Sequence, residues 1–417
     1  MPRRSLVCLF LMVLAGCLAS EAPLPPREAL AKACERVETI LRQEPTAVPA
    51  AIRLDAGGVP DDPRRVRVWV YNDPILSRLA VDPETMAAFR RAHPDVTLDC
   101  QGIGPWMVGV QKLTVNLAAG DAGDLPDVAL VARAWLPRLA SSGRIMPMEG
   151  LLPSTLLEDV RGPSRAALTI EGALYAMPAD GFCTVLFYNE DLLPDGAPGT
   201  WDELRTVAAG IPRREDFYPI GDIPFIETLW SAGGSVCGGG RSGLAGPAAL
   251  EALEFILSLR NDGLAHPWSL GDPDQAQELF LGGRVAMTVA SSRHLARVQR
   301  GSFPVGVAPV PGKAGPISAV SENALVVFAR YAETKRDAIV EVLDFLTGPE
   351  MQGVEAVAVG SVPVRESVAA RVSVPSGLAA AYENARHTPA IVPWSSVEFE
   401  LERYLHLAFR WRPEALD

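Results

Sequence analysis

The sequence is poor in lysine. Of its 38 basic residues only four are lysines, Lys32, Lys112, Lys313 and Lys335, against 50 acidic residues and a formal net charge of −12. That balance argues against a nucleic-acid binder, which presents a basic face. Histidine is scarce too. His93, His266, His294, His387 and His406 show no H-E-x-x-H or other close metal-ligand spacing. No C-x-x-C pair occurs, which argues against a zinc ribbon or a thioredoxin-like site. The glycines at 233–234 and 238–240 lack the Lys-Ser/Thr of a phosphate-binding loop, and no G-x-S-x-G elbow is present. Carboxylate pairs arise in any chain with 50 acidic residues, so they do not by themselves indicate a glycosidase. Catalysis, a metal and a cofactor therefore have no support in the sequence. What is present is ordinary globular composition, 48% hydrophobic and 21% charged, which excludes disordered, collagen-like and coiled-coil chains. A length of 417 residues predicts two or three domains.

The first residues read MPRRSLVCLFLMVLAGC. Arg3 and Arg4 form a positive n-region, and Leu6 to Leu14 form an apolar run too short for a permanent span. Leu14-Ala15-Gly16-Cys17 resembles the bacterial lipobox, so residues 1–16 are read as a lipoprotein signal peptide and Cys17 as the lipidated residue. Cleavage would remove Arg3 and Arg4 and leave the exported chain two charges more acidic. No later window is apolar for about 18 residues, so no second membrane span is expected. Cys8 leaves with the signal. Cys34, Cys100, Cys183 and Cys237 remain as buried thiols or as up to two disulfides in an oxidising compartment. Residues 17–65 hold the anchor, a Pro-rich spacer at 18–26 and a helix over 27–44. That segment serves as a spacer or as an added helix on the first lobe.

From Arg65 onward, strand and helix patterns alternate. Strands are expected at Val66–Tyr71, Val96–Leu98, Pro126–Val131, Val185–Tyr188, Val285–Val289, Val305–Pro311 and Ala324–Phe328. Helices are expected after Asp82-Pro83, over Lys112–Ala118, after the Thr200-x-x-Glu203 capping box, over Ala248–Leu259 and over Ala338–Leu346. This alternation predicts an α/β fold with helix-covered, mainly parallel sheets.

Several segments, in order, resemble the bacterial extracellular solute-binding proteins of the maltodextrin-binding type (family 1). They are Gly120-Asp121 with Asp124-Leu125-Pro126-Asp127-Val128, Gly143-x-Ile145-x-Pro147-Met148, Tyr188-Asn189-Glu190-Asp191-Leu192-Leu193 and Pro198-x-Thr200-Trp201-Asp202-Glu203-Leu204. Gly282-Gly283-Arg284-Val285-Ala286-Met287, Gly306-Val307-Ala308-Pro309-Val310-Pro311-Gly312 and Gly360-Ser361-Val362-Pro363-Val364-Arg365 follow. The resemblance implies a two-lobe periplasmic-binding-protein fold of type II with a three-segment hinge. Lobe 1 would be roughly 66–180 plus 311–360 and lobe 2 roughly 185–304 plus 365–412, with crossovers near 179–184, 305–310 and 360–364. It implies the extracytoplasmic subunit of an ABC importer, a monomer that captures a carbohydrate or related polar solute between its lobes and delivers it to a membrane permease. A sensing subunit for a membrane kinase or receptor, and an extracytoplasmic hydrolase, are the rival readings.

In open α/β sheets the carboxyl ends of the strands line the ligand crevice. On lobe 1 this nominates Tyr71, Asn72 and Asp73 after the first strand, Arg133 and Trp135 after the third, Asp180 and Phe182 at the first crossover, and Glu322 and Asn323 after the second. On lobe 2 it nominates Trp230, Ser292 with Arg293, and Trp394. Trp135 and Trp230 read equally well as core aromatics. Trp69 is expected to point into the core, Asp127 to brace its strand end and Trp201 to pack beside its capping box. Arg293 is either a surface charge or a cleft group favouring a polar or anionic partner.

Overall fold

In the chain's first strand, β1 (Arg65–Val70), Val66, Val68, Trp69 and Val70 are completely buried. The computed structural model that shows this describes residues 21–43, 62–71, 83–104, 106–119, 124–212, 214–267 and 271–412. A helix, α1 (Pro26–Gln43), precedes β1. After β1 come α2 (Pro83–Ala92), β2 (Thr97–Gly102), α3 (Trp106–Ala118), β3 (Val128–Ala132) and the long β4 (Met177–Asn189). Next are α4 (Trp201–Gly210), β5 (Tyr218–Ile220), α5 (Phe225–Ser231), α6 (Pro247–Asn261), α7 (Pro273–Leu281) and β6 (Val285–Ser291). The chain ends with β7 (Val305–Ala308), β8 (Ser318–Val327), α8 (Arg336–Leu346), α9 (Pro349–Val359), α10 (Ser376–Glu383), β9 (Ala385–Arg386) and α11 (Trp394–Arg410).

The strands run in the order β2-β1-β3-β8-β4-β6-β5, with β7 also paired to β4 and β9 to β8. β1 lies parallel to β2 and β3, and β5 parallel to β6. Antiparallel pairing enters where β8 meets β3 and β4, and where β4 meets β6 and β7. β4 changes partners midway: Cys183 pairs with Val320 of β8, and the next residue, Thr184, pairs with Ser291 of β6. One strand thus serves two sheets, which is the physical basis of the two-lobe fold. The first apolar core gathers β1, β2, β3 and α8. The second gathers α4, α6, β6 and α11, together with α1. A smaller third core packs Cys183, Val185 and Phe187 of β4 against Leu378, Ala381 and Tyr382 of α10.

Local signals explain several of these elements. Thr200 Oγ1 accepts the Glu203 amide at 3.2 Å and Glu203 Oε2 accepts the Thr200 amide at 3.2 Å, closing the capping box that starts α4. Trp201 then stacks on Phe255 of α6 at 4.1 Å, the packing role expected of it. Asp127 is a brace. It accepts the Arg67 amide and the Lys335 ammonium on one oxygen, each at 2.8 Å. The thiols of Cys34, Cys100, Cys183 and Cys237 are all free. α1 does not add to the first lobe. Ala29, Leu30, Ala33, Val37 and Leu41 bury its apolar stripe in the second core.

Candidate functional site

Just past the end of β1, polar residues from within the paired strands β4 and β8 meet Tyr71. The Tyr71 hydroxyl donates to Asn323 Oδ1. The Asn323 amide and its Nδ2 donate to the two oxygens of Asp180, at 3.0 and 2.8 Å. The register between β8 and β4 shifts between Asn323 and Ala324, and this irregularity sits at the same spot. Asp180 and Asn323 are 2% and 5% exposed, so the Asn323 donors offset the cost of burying the carboxylate. Beside them Tyr71 and Trp135, with Ile103, Leu113 and Leu130, line a small apolar pocket of about 10 Å³, room for about one water.

On the neighbouring position of β8, Glu322 is 1% exposed. Ser164 donates to its Oε1, and Oε2 has no hydrogen-bond partner. Burial pushes the Glu322 carboxyl up to about 7, against the pull of the Ser164 bond and of Arg133. Arg133 itself is spent on backbone: Nε donates to the Ala167 carbonyl at 2.9 Å and Nη1 to the Thr388 carbonyl at 2.8 Å. Burial lowers the Arg133 pKa. Arg293 lays its guanidinium 4.0 Å over the Phe182 ring, which is neither a plain surface charge nor an open cation.

From the side of the second core comes Glu227, in the first turn of α5. Thr184 of β4 donates to it at 2.5 Å, and burial raises its pKa. Trp230, on the same helix, is 6% exposed.

The structure therefore brings together Tyr71, Arg133, Trp135, Asp180, Phe182, Arg293, Glu322 and Asn323, with Trp230 on the neighbouring helix α5. Two nominated residues do other work. Trp394 is 2% exposed in the second core, where its indole bonds Glu398, so it is a packing residue. Ser292 is fully buried and staples the hinge. It accepts the Cys183 amide at 3.2 Å and donates to the Gly360 carbonyl at 2.8 Å, because its turn lies between two crossing segments. Asn72, Asp73 and Cys17 lie outside the described residues. Sequence reasoning missed Glu227, Ser164, Tyr382 and Thr388. Only Glu227 left a trace, a lone carboxylate in the apolar run Phe225–Trp230. Among the described residues no three His, Cys, Asp or Glu side chains assemble as metal ligands.

The family model described as "Bacterial extracellular solute-binding protein" matches residues 84–386. A Brucella abortus (strain 2308) protein named as a binding protein is 27% identical over 343 residues, 75% of this chain and 81% of its own length. The maltotriose-binding protein of Pyrococcus abyssi is 26% identical over 260 residues, 59% of this chain and 56% of its own length. In fold, the chain is similar to the sugar-binding protein MalE of Xanthomonas citri, with a TM-score of 0.70 at 22% identity over 84% of this chain and 94% of that one. These relatives are named as binding proteins. With most of its length matched and a strand shared between two lobes, the chain belongs to the bacterial extracellular solute-binding protein family.

Proposed function

We propose that this chain is the lipid-anchored solute-binding subunit of an ABC importer, and that its solute is a neutral, hydroxyl-rich molecule, a carbohydrate or a polyol. The observation that carries the reading is the Tyr71–Asn323–Asp180 chain between β1, β8 and β4, with Trp135 beside Tyr71. Aromatic faces suit the C–H faces of a sugar ring, and amides and carboxylates suit its hydroxyls. An anion fits less well. Asp180, Glu227 and Glu322 are buried carboxylates, while Arg133 gives Nε and Nη1 to the Ala167 and Thr388 carbonyls and Arg293 rests on Phe182. The maltotriose-binding relative supports the same class.

In this reading residues 66–180 with 311–360 form one lobe and 185–304 with 365–412 the other. A solute touching both binds the closed form better, and that difference drives closure. The closed form then docks on the permease and releases its cargo. Calorimetry with maltotriose, mannitol and glycerol 3-phosphate tests it. Saturable binding of a neutral compound is expected. Binding of the phosphate alone overturns the neutral class, and binding of none overturns the carbohydrate reading.

A further inference from the structure

The segment between the proposed anchor and the first lobe is fastened to the second lobe from its first described residue. Glu21 pairs with Arg403 of α11. Three residues on, the Leu24 amide donates to the Leu407 carbonyl at 3.2 Å. α1 then seals itself to α6 and α11 with Ala29, Leu30, Ala33, Val37 and Leu41, and Arg36 pairs with Glu400 at 3.0 Å. Burial of five apolar side chains in a core that also holds Trp394, Val397 and Leu401 makes α1 a layer of that lobe. It is not a flexible leader.

Glu21 lies four residue steps along the chain from Cys17, with Leu18, Ala19 and Ser20 between. Fully extended, those steps reach about 14 Å. We propose that α1 is a strap that holds the α11 face of the second lobe against the phospholipid bilayer, leaving the first lobe as the one that swings. This rests on the reading of Cys17 as the lipidated residue. A tether of ordinary linker length would let either lobe approach the membrane. This one fixes which lobe does, because the chain is already committed to α11 before it enters α1. The first lobe is reached only after α1, between Gln43 and Arg65.

The test places a donor dye, through a click-reactive amino acid, at one of two exposed positions of the full-length lipoprotein. Phe399 is 46% exposed on α11, one turn from Arg403, and Val115 is 66% exposed on α3 of the first core. Proteoliposomes carry acceptor-labelled phosphatidylethanolamine. A body of this length has a radius of gyration of about 21 Å, so the far lobe stands tens of ångströms higher, and transfer at 399 should exceed transfer at 115 by at least about two-fold. A Gly/Ser insert of about thirty residues between Ser20 and Glu21, with an r.m.s. length of about 30 Å, should equalise the two. The charge reversal Arg403→Glu should narrow the difference without releasing the protein. Equal transfer at both positions in the unmodified lipoprotein overturns the strap while the anchor stands. If the protein fails to stay with membranes, and Cys17→Ala changes nothing, the anchor reading fails and the strap's role falls with it.

Discussion

Glu322→Gln is the substitution on which the site's electrostatics can be tested most directly. The carboxyl is 1% exposed, with Ser164 donating to one oxygen and the other unpartnered. In the unfolded chain it titrates near 4.5, and in the folded chain burial moves it to about 7. Between those two pH values the native state keeps a proton that the unfolded state has lost. Stability contributed by the neutral form is therefore full below about pH 4.5. It drains away as pH rises and is gone above about pH 7. The gap converts to roughly 3 kcal/mol, the cost of holding an ionised carboxylate in that environment at neutral pH.

Glutamine copies the protonated acid. Its carbonyl can still accept from Ser164, and its amide replaces the unpartnered oxygen without a charge. Urea unfolding followed by tryptophan fluorescence at about pH 5 and about pH 8 reads the difference, and the slopes should match if both proteins unfold alike. The variant and the parent should have nearly equal stability at the acid end. At the alkaline end the variant should be more stable, by up to roughly 3 kcal/mol. Asp222, Glu227 and Glu398 are also raised by burial, so the parent's own curve sums several groups. The difference between the two proteins isolates Glu322. Parallel curves across that range would refute the assignment.

Ser292→Ala removes both bonds of the hinge staple and leaves the Cys183 amide and the Gly360 carbonyl buried without it. A loss of about 2–4 kcal/mol is expected in urea unfolding, and a change under about 0.5 kcal/mol would show that the staple is idle. Lys335→Met strands the Asp127 carboxylate, whose partner is 7% exposed in its side chain. Unfolding should be easier by about 3–5 kcal/mol, and the double variant with Asp127→Asn should recover part of it. Gly377→Ala would set a Cβ 1.8 Å from the Val307 carbonyl oxygen, forcing α10 away from β7. A loss of about 1–3 kcal/mol in thermal unfolding is expected, and an unchanged midpoint would contradict the close approach.

What was legible in the sequence was whatever repeats a local rule. β1, the capping box at Thr200 and the helix after Pro247 each follow from neighbours within one turn or one strand. β4 was only half legible. Val185–Tyr188 is an apolar run, whereas Met177–Cys183 contains Pro178, Asp180 and Gly181, which strand propensities disfavour. It is a strand because β8 pairs with it, a partner more than a hundred residues away. The helices α5, α7 and α9 were missed for a related reason. They are short or weakly patterned, and packing rather than periodicity holds them. The site divides in the same way. Strand-end reasoning finds Tyr71, because a strand's end is a local event, and the crossover motifs point to Asp180 and Asn323, which lie inside the paired β4 and β8. It cannot find Ser164 or Thr388, which enter from other elements and matter only because Glu322 and Arg133 are buried beside them. Nor can it separate Ser292 from Arg293. Adjacent residues on one turn point opposite ways, the first into the hinge and the second over Phe182. The division has a consequence for the solute. The residues that sequence finds offer hydroxyl-compatible donors and acceptors, and one that it misses, Thr388, accepts a hydrogen bond from Arg133. An anion-binding reading drawn from the arginines alone leaves out the carbonyls that already hold Arg133 Nε and Nη1.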